Sequence, residues 1–295
     1  MSAEDSPGHL LLINPSAGGG RAADLIGEAT AAMDAAGLTH RTVLTTGLEH
    51  GVEAALEAAG RGEVCVVMSG DGLIGQVGGA LAGSGGVLGV IPGGRGNDFA
   101  RALGIPSEVA AAVEVLARRH TGTIDVGEVD GRRFVGIASC GFDSDANRIA
   151  NESRMGGNLV YAYAALRALL FWKPARFTIA IGERRTRVEG YSVIVANSAA
   201  YGGGMYVAPD ARLDDGEFDV VTIAKVGKLR FLGNLPKVFK GTHVRNEEVQ
   251  VVRAARLSVS ATRPFAVYAD GEHLTDLPAD LRVIPAALRV LAPAA

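Results

Sequence analysis

The chain has 295 residues, 48% of them hydrophobic, with 40 glycines and few aromatics. That length favours two domains over one and supplies enough apolar material for a large core, which excludes a disordered or fibrous chain. A net charge of -3 and a pI near 6.1 give no general basic field, which excludes nucleic acid as the main partner and makes any anion site a local one.

Residues 1–9 carry Glu4, Asp5 and Pro7 and lack the basic and long apolar parts of a secretory signal, so the default compartment is the cytoplasm. An apolar run at 10–14 (LLLIN) ends at Pro15 and a glycine loop, and an alanine-rich stretch at 21–36 follows, which reads as strand, loop, helix. The pattern repeats, with strands expected at 42–44, 64–68 and 87–91 and helices at 52–59, 75–82 and 97–103. Continuous apolar strands alternating with helices predict a parallel sheet covered on both faces. After 121–123 (TGT) the texture changes to strands of alternating polarity at 124–129, 133–138, 177–181, 191–196, 218–223, 257–259 and 265–268. A helical stretch at 159–170 and a mixed segment at 228–240 interrupt them, and the tail at 281–291 reads as a strand returning to one of the two domains. The boundary falls near residue 122. Cys65 and Cys140 lie far apart inside apolar segments and are expected to stay reduced. The most lipophilic stretch, 161–172, carries Arg167 and falls short of the roughly 20 residues a membrane span needs.

The chemistry sits where strands end. In an open parallel sheet, ligands bind at the carboxyl ends of strands, where glycines let backbone N–H groups approach a phosphate and a helix N-terminus adds partial positive charge. Ser69-Gly70-Asp71-Gly72-Leu73 follows the strand at 64–68 and precedes a helix. Asp71 there holds magnesium, bonds a water on the metal or orders the loop; a helix cap in a plain turn is the competing reading. Gly70, Gly72 and Gly75 also spell GxGxxG, but the acid that a dinucleotide site places about 20 residues later is missing. A Walker A loop is missing too, because Gly227-Lys228 is followed by Leu229. The next strand leads into residues 91–101 (IPGGRGNDFAR), with Arg95, Asn97 and Asp98 as candidate ligand residues and helix capping as the alternative for the last two. With Asn14-Pro15-Ser16-Ala17-Gly18, three glycine-bearing loops line one sheet edge, enough N–H donors for a polyphosphate.

The ordered set NPSAGGG (14–20), SGDGL (69–73), IPGGRGNDFARALG (91–104), YGGGMYVAPDARLDDGEFDV (201–220) and YADGEHL (268–274) resembles the diacylglycerol kinase and sphingosine kinase family of lipid kinases over most of the chain. The resemblance implies an α/β N-terminal domain like that of NAD kinases, a mostly-β sandwich C-terminal domain and an active site in the interdomain cleft. On that basis the domains are 1–122, with 281–295 returning to it, and 123–280. ATP would be bound by Asn14, Pro15, Ser16, Ala17, Gly18, Gly70, Asp71, Gly72, Leu73, Gln76 and Arg95, with Thr45 as an additional candidate. Asp215 would coordinate a structural magnesium ion, with backbone oxygens of Arg212 and Glu217 completing the site; an acidic hairpin turn is what DDG makes otherwise. Leu73, Gln76 and Arg95 depart from the threonine, glutamate and threonine usual in bacterial members, although sphingosine kinases also read SGDGL.

Phosphoryl transfer to a lipid hydroxyl needs positioning, charge neutralisation and a carboxylate to take the hydroxyl proton. Asp71, Asp270 and Glu272 are the catalytic candidates; alternation in an extended segment would turn Asp270 and Glu272 to the same side, and a surface turn at Asp270-Gly271-Glu272 is the competing reading. The expected reaction uses ATP and Mg2+ to phosphorylate diacylglycerol to phosphatidic acid. A sphingoid base or other lipid alcohol as acceptor, and a nucleotide-binding regulator without turnover, are the alternatives. A lipid acceptor implies transient contact with a membrane surface, and residues 161–172 followed by Lys173 and Arg176 are the candidate docking stretch, with Trp172 as its test position and a packed helix as the competing reading. The oligomeric state stays open, a homodimer included.

Overall fold

The computed structural model describes residues 8–153 and 159–294; the charged N-terminal segment read above, apart from Gly8 and His9, lies outside them. The chain divides into two compact units, one from residues up to Ile124 together with Ala286 onward, the other spanning Asp125–Pro285.

In the first unit, chain order gives β1 (His9–Ile13), α1 (Arg21–Asp24), α2 (Ile26–Ala35), β2 (His40–Leu44), α3 (Leu48–Gly60), β3 (Val64–Ser69), α4 (Asp71–Leu81), β4 (Val87–Pro92), α5 (Asp98–Ala102) and α6 (Val109–Ala117). The strands pair in parallel in the order β2-β1-β3-β4. Parallel pairing requires crossovers, which α1 and α2 supply from β1 to β2, α3 from β2 to β3 and α4 from β3 to β4, and strands covered on both faces must be apolar throughout. β1 and β3 meet that condition, being buried at every position. One face of the sheet packs Leu11, Ile13, Val66 and Met68 against Ala29 and Met33 of α2 and Val113 and Leu116 of α6. Each buried Leu, Ile, Val or Met among these contributes about 1.5–3 kcal/mol.

The second unit holds β5 (Thr121–Val129), whose first residues belong to the first unit, then β6 (Arg132–Phe134), β7 (Ile137–Gly141), α7 (Phe142–Glu152), α8 (Leu159–Phe171), β8 (Ala175–Ile181) and β9 (Arg184–Ala196). It continues with β10 (Phe218–Ala224), α9 (Lys228–Val238), β11 (Val249–Ala254), β12 (Arg256–Ala261), β13 (Ala266–Ala269), β14 (Glu272–Asp276) and β15 (Ala279–Leu291). Pairing here is antiparallel: β9 joins β8, β7 and β10, β13 lies between β7 and β14, and β12 joins β8 to the start of β15. The end of β15, from Ala286 on, belongs to the first unit, where Arg289 and Val290 pair in parallel with β4.

An aromatic core fills this unit. Tyr191 stacks on Phe231 with centroids 4.1 Å apart, and Phe142 meets Phe231 edge-on at 4.9 Å. Trp172 belongs to the same core: it stacks on Tyr191 at 6.1 Å, meets Phe142 edge-on at 5.8 Å and carries the Arg263 guanidinium over its ring. This corrects Trp172 as the test position for docking, since the ring is buried in the core. The exposed apolar residues of α8 are instead Tyr163, Leu166, Leu170 and Phe171, while Ala164, Ala168 and Leu169 face inward. The side chains of residues 159–162 lie outside the described ones, Tyr161 of the candidate stretch among them.

Candidate functional site

The loops after β1, β3 and β4 leave adjacent strand ends and touch through their backbones. A Cβ at Gly94 would stand 2.3 Å from the Cα of Gly70, and one at Gly18 would stand 2.8 Å from the carbonyl oxygen of Gly93. Only glycine fits such an approach, and Gly18 also has a φ of 66°, in the left-handed region. Further bonds tie the loops to the strands: Asn14 N–H donates to Met68 O at 3.3 Å and Gly93 N–H to Ser69 O at 3.0 Å.

Side chains then fix each loop. The Asn14 carboxamide oxygen accepts from the N–H and hydroxyl of Ser16 at 3.1 and 2.7 Å, and Ala17 N–H donates to Asn14 O at 3.0 Å. Pro15 is half-buried between these partners. Asn97, itself left-handed at φ 51°, accepts the Gly94 N–H at 2.8 Å and donates to Gly94 O at 3.2 Å. Asn97 therefore closes its own loop and makes no side-chain cap on α5. Asp98 is buried and takes the Arg101 guanidinium at 2.5 Å.

Asp71 opens α4, and its Oδ1 accepts the Phe99 N–H at 2.9 Å, so the carboxylate ties α4 to the start of α5. Burial raises its pKa, the Phe99 N–H opposes that rise, and the nearby Asp98 charge adds to it. Of the three roles open to Asp71 from the sequence, ordering the loop is the one this bond performs. Gly72 and Gln76 are half-exposed on α4, and exposed Arg95 reaches across to Gly19. Leu73 and Thr45 differ from the rest of the expected nucleotide set. Leu73 is 2% exposed and packs on Gly51 of α3, where the Thr45 methyl also points, so Leu73 offers a ligand only backbone groups and Thr45 is buried beside it. For Leu73 the reason is physical: the first apolar residue of an amphipathic helix turns to the core even beside a binding loop.

In the second unit, Asp270 and Gly271 form the two-residue turn between β13 and β14, both at positive φ (51° and 87°). An aspartate-glycine pair of this kind is the preferred tight hairpin turn. The expected alternation of Asp270 and Glu272 is therefore corrected, because the segment is turned at Asp270. The Asp270 carboxylate folds back on the chain and accepts the N–H groups of Val135, Gly136 and Ile137 at 2.8, 3.0 and 3.2 Å. Glu272 starts β14 half-buried, and burial pushes its carboxyl above the usual glutamate range.

The acidic hairpin at 212–217 is held by residues that the sequence did not single out. Buried Asp125 accepts the Gly216 N–H at 2.6 Å, and buried Asn197 donates to the carbonyls of Asp125 and Val135 at 2.9 Å each. Arg212 pairs with Asp214 at 3.1 Å. The Asp215 carboxylate accepts the Glu217 N–H at 3.1 Å on Oδ1 and the Arg253 guanidinium on Oδ2. Among the described residues, no group of three or more His, Cys, Asp or Glu side chains is placed to hold a metal ion. As this loop stands, its donor set does not fit a magnesium ion, because the one acidic side chain assigned to the metal has both oxygens engaged.

The second unit also contains an apolar cavity of about 120 Å³, lined by Phe142, Ile194, Met205, Val207, Phe231 and Val249 among others. Asp143 lies on its wall, where its Oδ1 accepts the Tyr201 hydroxyl at 2.9 Å and burial raises its pKa.

Two family models cover nearly the whole chain. Residues 9–129 match the diacylglycerol kinase catalytic domain, and residues 136–292 match the YegS C-terminal NAD kinase beta sandwich-like domain. A diacylglycerol kinase of Mycobacterium tuberculosis is 34% identical over 239 residues, covering 78% of this chain and 77% of its own. One of Bacillus subtilis is 29% identical over 276 residues, covering 92% and 91%. A crystal structure of a diacylglycerol kinase from Bacillus anthracis superposes with a TM-score of 0.76 at 20% identity, covering 97% of each chain, which shows the shared fold. With two-domain coverage in the same order as the loops described above, the chain belongs to the diacylglycerol kinase catalytic-domain family, with a YegS-type C-terminal domain, and is a lipid kinase.

Proposed function

We propose that the chain transfers the γ-phosphoryl group of ATP, taken as its magnesium complex, to the primary hydroxyl of diacylglycerol, giving phosphatidic acid and ADP. The observation that carries the nucleotide half of this reading is the glycine cradle, in which Gly94 meets Gly70 and Gly18 meets Gly93 backbone to backbone. Loops that close to each other have no side chain between them, so a phosphate can reach their backbone and the N-terminus of α4, the arrangement that binds polyphosphate. Magnesium supplies charge neutralisation on the phosphates when ATP is bound. Asp71 keeps the two loops in register, and Arg95, exposed beside Gly19, adds a cation for phosphate.

Glu272 is the proposed base. As the lipid hydroxyl oxygen bonds to the γ-phosphorus and the bond to the β,γ-bridging oxygen breaks, the hydroxyl proton passes to the Glu272 carboxylate. A base works best with a pKa moved toward the working pH, the direction in which burial moves Glu272. Asp270, which accepts three backbone N–H groups, holds the turn that carries Glu272. The apolar cavity is the proposed seat for part of an acyl chain, since its walls are almost wholly hydrocarbon.

The test is a kinase assay with purified protein, magnesium, labelled ATP and a panel of lipids in mixed micelles. Label is expected on diacylglycerol, and Asp71→Ala is expected to lower the rate about 100-fold or more through misplacement of the loops. Label on a sphingoid base but not on diacylglycerol changes the acceptor, and no labelled lipid at all overturns the reading.

A further inference from the structure

We propose that Arg253 is the resident cation of the acidic hairpin at 212–217 and takes the place of the structural magnesium ion that the family resemblance puts there. Asp215, Glu217 and Asp219 occupy alternate positions along the chain, and Arg253 stands directly opposite Asp219 in the β10–β11 ladder. From that register its guanidinium bonds Asp215 Oδ2, while its Nε lies 3.4 Å from Glu217 Oε2. One side chain thus contacts two carboxylates and stands opposite a third. A guanidinium suits the task because it is planar, permanently charged and carries five N–H donors, so it bonds one carboxylate and still serves a second.

A divalent ion at the same loop faces two obstacles. Magnesium takes six oxygens in a near-ideal octahedron, whereas the Asp215 oxygens are engaged by the Glu217 N–H and by Arg253. Asp125, the buried carboxylate nearest in the chain of contacts, is bonded to the Gly216 N–H. A metal ion would also meet a fixed positive charge on the strand that flanks the loop, and like charges at contact distance repel. Guanidinium and metal therefore exclude one another at Asp215.

The loop matters beyond itself because its bonds lead on. Gly216 bonds Asp125, Asn197 bridges the carbonyls of Asp125 and Val135, and the Val135 N–H bonds the Asp270 carboxylate of the turn before Glu272. Arg253 anchors the far end of that series.

The experiment needs no lipid and no nucleotide, so it stands or falls separately from the kinase reading. Nucleotide-free protein is melted in EDTA and in millimolar magnesium or calcium chloride. The wild-type midpoint is expected to be unchanged by the divalent salt. Arg253→Ala is expected to melt a few degrees lower in EDTA, on the order of 2–6 °C, and to regain that loss in divalent salt as the vacated carboxylates take a metal. Adding Asp215→Asn to Arg253→Ala removes the regain. A wild-type midpoint that rises by several degrees in magnesium, with Asp215→Asn abolishing the rise, overturns the proposal, and so does an Arg253→Ala protein that melts like wild type in EDTA. Should the alanine variant not fold, Arg253→Gln, which keeps most of the side-chain bulk, is measured in the same series with the same expectations.

Discussion

The Glu272 carboxyl is raised by burial alone, whereas Asp270, two residues earlier, is saturated by three backbone donors. A base must be ionised to accept a proton, so activity is expected to fall as pH drops through a Glu272 pKa that lies above the ordinary 4.5. The acid limb of kcat should therefore sit at higher pH than an exposed glutamate would give, and Glu272→Gln should lower kcat by about 10²–10⁴-fold and erase that limb. An Asp270→Asn protein, by contrast, should keep the position of the limb while losing stability, since it weakens three charge-assisted bonds without removing the base. Rate profiles between pH 4 and 9 for the three proteins check this; an unchanged profile in Glu272→Gln would remove it as the base. The sequence could not separate the two residues because both are acids at one strand end, and the proposal of Glu272 rests on a backbone feature, the turn at Asp270 and Gly271. It is the same with Arg253, which is an unremarkable arginine until β11 is paired with β10 and set opposite Asp219.

Among the elements, the parallel strands and their loops were legible because β1, β3 and β4 are short apolar runs leading into glycine-bearing loops, a pattern with few other solutions. α7 was not, since it starts directly out of β7 and carries Asp143, Asp145 and Arg148 among few apolar residues. β11 was passed over for the opposite reason, as VQVVRA is short and lies beyond a segment of mixed character. Leu73 shows the limit inside a motif: the loop SGDGL was read as one ligand-binding unit, but the helix begins within it and turns its first apolar side chain to α3. The tight meeting of the loops gives a sharp test at this scale. Gly94→Ala places a methyl carbon 2.3 Å from the Gly70 backbone, where neither partner is a side chain that can swing away. The loops must separate, at a cost of about 1–3 kcal/mol, and the KM for ATP is expected to rise at least tenfold while the fold survives. Far-ultraviolet circular dichroism and ATP titration of the rate distinguish this from plain unfolding, and a variant with wild-type KM for ATP would show that the cradle does not hold the nucleotide.

At the scale of the whole molecule the net charge is -3, which repels an anionic membrane at long range, and no helix among the described residues is long and apolar enough to cross a bilayer. Contact with lipid must then come from a local feature. The second unit carries exposed hydrocarbon on α8, with Leu170 at 64% and Phe171 at 79% exposure, and Leu229 at 86% on α9. The two helix ends are tied together where the Lys228 ammonium donates to the Leu170 carbonyl at 2.8 Å. Lys173 and Lys228 flank these apolar side chains in sequence, and each basic group near an anionic surface contributes about 1 kcal/mol. Insertion of the apolar side chains is independent of salt, whereas the lysine contribution is screened. A triple change, Leu170→Ser with Phe171→Ser and Leu229→Ser, is therefore expected to reduce binding to vesicles containing phosphatidylglycerol at least tenfold at every salt concentration. Lys173→Ala with Lys228→Ala should weaken binding at low salt and converge on wild type as salt rises. Activity on a short-chain diacylglycerol in detergent should survive both sets, because neither touches the loops or Glu272. Vesicle co-sedimentation across a salt series reads the two effects apart, and binding that ignores the serine changes would place the membrane contact elsewhere on the chain.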